Sequence, residues 1–291
     1  LDGYLEPDVV QEFIVETLSK LDLKHNRVLV LVPDQTRTMP LPMVFDTLKD
    51  AMEGRVDALD FLVALGTHPP LNDSRLSKLF GHAVLDGMIG EHHIYNHTWG
   101  QPDTLHEIGV IPGEEMASLT NGYFSVPLRV RINQLIFDYD HILICGPVSP
   151  NVAIGFSGGN KYFFPGISGP EIINFTHWLA ALLTNVDVIG SGYTPIRAVV
   201  DRAAQFIDLP KSCLAFVLDK QGVFGTFFGT PEEAWEGASA LSAKKHIVYT
   251  GRTFNRALAV MPEMYDELWV GGKGMYKLEP VIADGGEVII Y

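Results

Sequence analysis

Arg27-Val28-Leu29-Val30-Leu31-Val32-Pro33-Asp34-Gln35-Thr36-Arg37 is the stretch on which the fold turns. Its first part is a short, β-rich apolar run of the kind found in buried strands, and Pro33 opens the loop that follows. Met43–Met52 then shows helical apolar spacing. Ala58–Leu65 reads as a second buried strand, and Asn72 or Asp73 can cap a helix running to about Phe80. Strand, helix, strand, helix in this order implies a parallel sheet with right-handed crossovers. Ligands of such sheets gather at the carboxyl ends of the strands, so the residues just after each strand are the first to read for chemistry.

Working outward, His141–Gly146 is a third strand leading within a few residues into the glycine-rich loop Gly155-Phe156-Ser157-Gly158-Gly159-Asn160-Lys161. Further elements are a helix over Ile172–Leu183, strands over Leu214–Leu218 and Val223–Phe228, a helix over Pro231–Ala243 and a strand over Ile247–Tyr249. From Thr253 a new unit is expected: a strand over Glu267–Val270, a helix over Met275–Pro280 and a strand over Gly285–Tyr291. The expected fold class is therefore α/β. A large N-terminal catalytic and cofactor-binding domain (1–250) carries a parallel-type sheet flanked by helices, and 251–291 begins a smaller α/β domain that stops incomplete, too small to bury a core alone.

The chain has 291 residues, 47% of them hydrophobic and 19% charged, an ordinary globular balance. It holds no apolar run long enough to span a bilayer. A net charge of −14 without a clustered Lys/Arg field argues against nucleic acid and anionic membrane as partners. An anionic ligand would need local basic residues. Cys145 and Cys213 lie in apolar stretches without metal-type pairing, which reads as buried reduced thiols and a cytoplasmic location. Leu1–Asp22 is acidic where a secretory signal would be basic, and the missing initiator Met suggests a trimmed chain.

Asp34, Thr36 and Arg37 put a carboxylate, a hydroxyl and a guanidinium at the strand edge, where the Arg fork can hold a carboxylate in two bonds; an Asp-capped turn with a solvated Arg is the plain alternative. Gly66-Thr67-His68-Pro69-Pro70 places an imidazole after the adjacent strand, suited to taking a proton from a hydroxyl, or bonded structurally to a carbonyl. His82, His92, His93, His97 and His106 match no metal spacing and read mostly as loop or surface histidines. The glycine loop permits positive φ and close approach to a phosphate. It is not a Walker sequence, because Asn160 separates Gly159 from Lys161 and Tyr162 stands where Ser or Thr would bind magnesium. His177 sits in an apolar helical stretch and becomes a metal ligand only if other donors come from elsewhere.

Taken together, Asp34-x-Thr36-Arg37, Gly66-Thr67-His68, Gly155-Phe156-Ser157-Gly158-Gly159-x-Lys161 and His177 resemble the nickel-pincer lactate racemase family in order and spacing, with the resemblance running from about Val28 to Tyr291. The resemblance implies a nickel ion gripped by a pyridinium-3,5-bisthiocarboxylic acid mononucleotide that is linked to Lys161, with His177 as the protein ligand to the metal. Asp34, Thr36, Gly155, Ser157, Gly158 and Gly159 are then expected on the cofactor. His68 matches one acid/base histidine, Arg37 a substrate-pocket arginine, and Lys273 a lysine that neutralises the substrate carboxylate or polarises a keto oxygen. The implied reaction is racemisation or epimerisation of a small 2-hydroxy acid, with the proton taken by histidine and hydride passing to and from the cofactor. Enzymes that build the cofactor are the implied partners. Two positions depart from the family: Val270 stands where a glutamine is expected, and Asn151 stands where the second acid/base histidine belongs. Asn cannot shuttle a proton near neutral pH. A one-sided 2-hydroxy acid oxidoreductase, or a non-catalytic homologue that binds hydroxy or keto acids, therefore stays open beside the racemase.

Overall fold

The computed structural model describes residues 3–262 and 268–291. Helix α1 (Pro7–Ser19) leads into strand β1 (Arg27–Val32), α2 (Leu41–Met52), β2 (Ala58–Val63) and α3 (Asp73–Phe80). Asn72 caps α3 by accepting from the Arg75 N–H, as expected of a short polar residue before a helix. Strands β3 (Met88–Ile89), β4 (His92–Asn96), β5 (Leu105–Ile111) and β6 (Leu128–Asn133) follow, with α4 (Gly113–Leu119) inside the β5–β6 connection. Then come β7 (His141–Pro147), β8 (Pro150–Asn151), β9 (Gly155–Phe156), α5 (Pro170–Leu183), α6 (Asn185–Val188), α7 (Pro195–Ala204), β10 (Lys211–Leu218), β11 (Val223–Gly229) and α8 (Pro231–His246).

Among the described residues the main sheet has seven strands in the order β11-β10-β7-β1-β2-β4-β3. Its five central strands run parallel, and β11 and β3 are antiparallel edges. Alternation along the strands splits the core in two. Val28, Val30, Val32, Phe61, Leu143 and Phe216 pack with α1, α2 and α3 on one face. Leu29, Leu31, Leu62, Ile142, Ile144 and Ala215 pack with α5, α7 and α8 on the other. Covering both faces is what made these strands read as continuous apolar runs rather than alternating ones. The expected parallel α/β architecture is the one observed.

Two expected strands are absent. Residues 247–249 are irregular, and β11, folding back antiparallel on β10, is the strand that takes that edge of β10. Leu268–Gly271 forms a helical turn (α9), closed by the Gly272 N–H on the Leu268 carbonyl at 2.9 Å, where a strand over Glu267–Val270 was expected. Glu267 lies outside the described residues. A run of three apolar residues cannot distinguish the two periods, and among the described residues no strand ladder includes this segment. Helix α10 (Lys273–Leu278) follows, and strand β13 (Ile282–Ile290) pairs in parallel with β12 (Phe254–Ala259), apart from the main sheet. The Asn185 side chain donates to the Tyr276 carbonyl at 2.5 Å, tying α10 to α6. Cys145 and Cys213 are buried free thiols, as expected.

Candidate functional site

Because β1, β2 and β7 are parallel neighbours, their carboxyl ends deliver three loops to one edge. Between these loops lies a cavity of about 250 Å³. Asp34 and Arg37 line it from the loop after β1, His68 from the loop after β2, and Asn151, Ser157, Gly158 and Lys161 from the region after β7. His177 of α5 and Lys273 of α10 complete the wall. Thr36, Gly155 and Gly159 do not line it.

Asp34 and His68 form a hydrogen-bonded pair: His68 Nδ1 donates to Asp34 Oδ2. The other carboxylate oxygen accepts from the Thr36 N–H at 3.0 Å and the Thr36 hydroxyl at 2.6 Å. Burial pushes the Asp34 carboxyl upward, yet the bonds from His68 and Thr36 and the charges of His68 and Arg37 outweigh it and hold the group below its ordinary value. An ionised carboxylate on Nδ1 fixes the imidazole tautomer and leaves Nε2 as the proton-accepting atom. Asp34 and Thr36, expected on a cofactor, thus have a nearer task in orienting His68.

His97, one of the histidines read as loop or surface residues, is instead fully buried. Its Nε2–H donates to the Ser168 carbonyl at 3.0 Å, and Nδ1 accepts from Asn133 at 3.1 Å. Burial pushes it down to about 4. It stands outside the cavity with both nitrogens engaged, so it cannot replace a missing base. His93 and His106 are exposed, as expected.

Lys161 sits among cations. Burial, with Arg37 and Arg197 nearby, lowers its ammonium to about 7, so that a substantial fraction is free amine near neutrality. Burial and the charges of Arg37 and Lys277 lower Lys273 to about 8. The glycines of the loop answer to protein packing. A Cβ on Gly155 would lie 2.3 Å from the Ser191 carbonyl, one on Gly158 2.5 Å from Val148, and one on Gly159 2.9 Å from Trp235. The Ser157 hydroxyl accepts from the Ser149 N–H at 3.0 Å. Asn151 turns its side-chain oxygen to the Ala153 N–H at 3.0 Å.

Among the described residues no group of three or more His, Cys, Asp or Glu could hold a metal ion. A metal here would depend on donors carried by another group. His177 suits that arrangement: Nδ1–H donates to the Ile173 carbonyl at 2.6 Å, which reserves the Nε2 lone pair for a ligand. The near-neutral Lys161 amine is suited to forming a covalent link. These two residues therefore fit a lysine-linked group that brings its own metal donors.

Residues that the sequence reading passed over stand behind the loop. Arg197, 1% exposed, reaches the Phe156 and Gly158 carbonyls, and Trp235 reaches that of Ser157. The available signal was Arg197 and Asp201, four apart on an otherwise apolar helical face.

The lactate racemase N-terminal domain model matches residues 10–187. A lactate racemase from Thermoanaerobacterium thermosaccharolyticum is 23% identical over 310 residues, covering 98% of this chain and 65% of that protein. The chain thus spans just under two thirds of the length of that curated relative. A crystal structure of a Thermotoga maritima protein superposes with a TM-score of 0.89 at 30% identity, covering 100% of this chain and 72% of the other. The T. thermosaccharolyticum lactate racemase apoprotein superposes with a TM-score of 0.76 at 19% identity, covering 97% and 66%, a likeness of fold. Because that domain model matches more than half of this chain, the chain belongs to the lactate racemase family.

Proposed function

We propose that this chain carries the catalytic site of a racemase or epimerase of small 2-hydroxy acids. The observation that carries the reading is the convergence of the Asp34–His68 pair, Arg37, Lys161, His177 and Lys273 on one cavity at the sheet's carboxyl edge. Arg37 and Lys273 hold the substrate carboxylate, the first through its planar fork and the second as a point charge. Asp34 keeps the Nδ1 proton of His68 in place, and His68 Nε2 accepts the proton of the substrate hydroxyl as C2 is oxidised, returning it when C2 is reduced. The nickel-pincer mononucleotide, held by Lys161 and His177, supplies a hydride acceptor and donor when bound. Residues 1–250 act as the cofactor-bearing domain, and 251–291 bring Lys273 to its wall.

Asn151 favours a second reading of the same site. It lines the cavity where the family has its second acid/base histidine, and its amide cannot take a proton. With His97 sealed in the core, His68 serves one enantiomer, and oxidation of the other to the bound keto acid is about 10²- to 10⁴-fold slower. The test is cofactor-loaded protein supplied with each enantiomer of 2-deuterated 2-hydroxy acids in ordinary water, followed by chiral chromatography and mass spectrometry. Retention of deuterium at C2 in both enantiomers is expected, with one enantiomer oxidised far faster than the other in a single turnover of the wild type, and interconversion slow in both directions there but faster in Asn151→His. Loss of the label to water would overturn the hydride route. No interconversion by either loaded protein would overturn the racemase reading, and equal single-turnover oxidation of the two enantiomers by the wild type would overturn the one-base asymmetry.

A further inference from the structure

We propose that Arg197 and Trp235 are positioning residues for Lys161: they clamp the backbone immediately before it, and the clamp sets how its amine is presented to the cavity. The inference rests on the reading of Lys161 as an attachment point. Arg197 donates from Nη2 to the Phe156 carbonyl at 2.8 Å, and from Nη1 and Nη2 to the Gly158 carbonyl at 3.2 and 3.3 Å. The Trp235 indole N–H donates to the intervening Ser157 carbonyl at 3.1 Å. Three successive carbonyls are thus held from behind by side chains of α7 and α8. The next two residues belong to the same clamp. Gly159 packs so closely that a Cβ would lie 2.9 Å from Trp235, and the Asn160 side chain donates to Asp201 at 3.0 Å and Glu232 at 2.7 Å. Lys161 is the first residue beyond it.

Arg197 is an expensive way to brace a turn. Its guanidinium is 1% exposed, its ion pair with Asp201 is long at 3.7 Å, and it lies 4.3 Å from the centre of the Trp235 ring. A buried charge costs stability unless it is well paired. What Arg supplies that a neutral donor cannot is a rigid fork reaching two carbonyls at once. It also adds positive charge near Lys161, alongside Arg37 and Lys273 and opposed by Asp34, in keeping with an amine that is near neutrality when held in place.

The test uses the folded protein without added ligand. Acetylation of Lys161 by limiting acetic anhydride is followed by peptide mass spectrometry as a function of pH, beside hydrogen exchange of peptides covering 155–162. Two variants change no charge: Trp235→Phe removes one N–H donor, and Arg197→Lys removes the fork. In both, the pH midpoint of acetylation is expected to rise by about half a unit to one unit, and exchange to quicken by about threefold to tenfold, the worth of one hydrogen bond. Wild-type midpoints and exchange in both folded variants would overturn the clamp, and Trp235→Phe decides alone if Arg197→Lys does not fold. Intact mass after co-expression with the cofactor-building enzymes separates the two claims. A wild type that never gains the cofactor mass overturns the attachment reading whatever the acetylation shows. Normal loading with unchanged acetylation in the variants keeps attachment and overturns the clamp.

Discussion

Asp34 and His68 meet because β1 and β2 are parallel and in register to their last residues, Val32 beside Val63. In Asp34→Asn the amide offers both a donor and an acceptor, so the Nδ1–H tautomer of His68 is no longer enforced and the negative charge beside it is gone. A fall in kcat of about 10²-fold is expected with the KM for a 2-hydroxy acid nearly unchanged, measured in steady state on cofactor-loaded protein. An unchanged kcat would mean that the pair is only structural. His97 makes a different prediction. Its folded value of about 4 lies below the 6.5 of a free imidazole, so between these values the unfolded chain binds the extra proton. This contribution to stability is complete above about pH 6.5 and is lost as pH falls toward 4, about 3 kcal/mol at most. Denaturant unfolding across that window should show a shallower slope for His97→Gln than for the wild type; parallel slopes would refute it.

At the scale of elements, the glycine loop is shaped by its neighbours as well as by any ligand. Gly155 has φ +88° and faces the Ser191 carbonyl, so Gly155→Ala meets both left-handed strain and a clash with rigid backbone. A loss of at least about 2 kcal/mol in unfolding free energy is expected, the strain alone costing about 1 to 2. A loss below 0.5 kcal/mol would show that the 190–194 segment simply moves aside. Helix α8 enters through a capping box, the Thr230 hydroxyl taking the Glu233 N–H and the Glu233 carboxylate returning to the Thr230 N–H. That cap fixes the start of the helix that carries Glu232 and Trp235, the residues that brace Asn160 and Ser157.

Across the whole molecule, a net charge of −14 surrounds a cavity lined by Arg37, Lys161 and Lys273, and among the described residues no helix is long and apolar enough to cross a membrane. The distant charge is screened by salt, whereas the near cations act on a ligand in place. Calorimetric binding of a 2-hydroxy carboxylate to the ligand-free protein should therefore weaken as pH rises through about 8, where Lys273 loses its proton. Lys273→Ala should abolish that dependence and cost about 2 kcal/mol or more in affinity. A pH dependence surviving in the variant would assign it to another group. The parallel sheet was legible in the sequence because strands buried on both faces must be continuously apolar, and so were Arg37, His68 and Lys161, because each follows such a strand or its loop. The helical turn at Leu268–Gly271, the irregular 247–249, the sealing of His97 and the Arg197–Trp235 clamp were not, since each depends on which partners long-range packing supplies. Local pattern determines which residues must leave water; only the folded chain decides which carbonyl, carboxylate or ring then meets them.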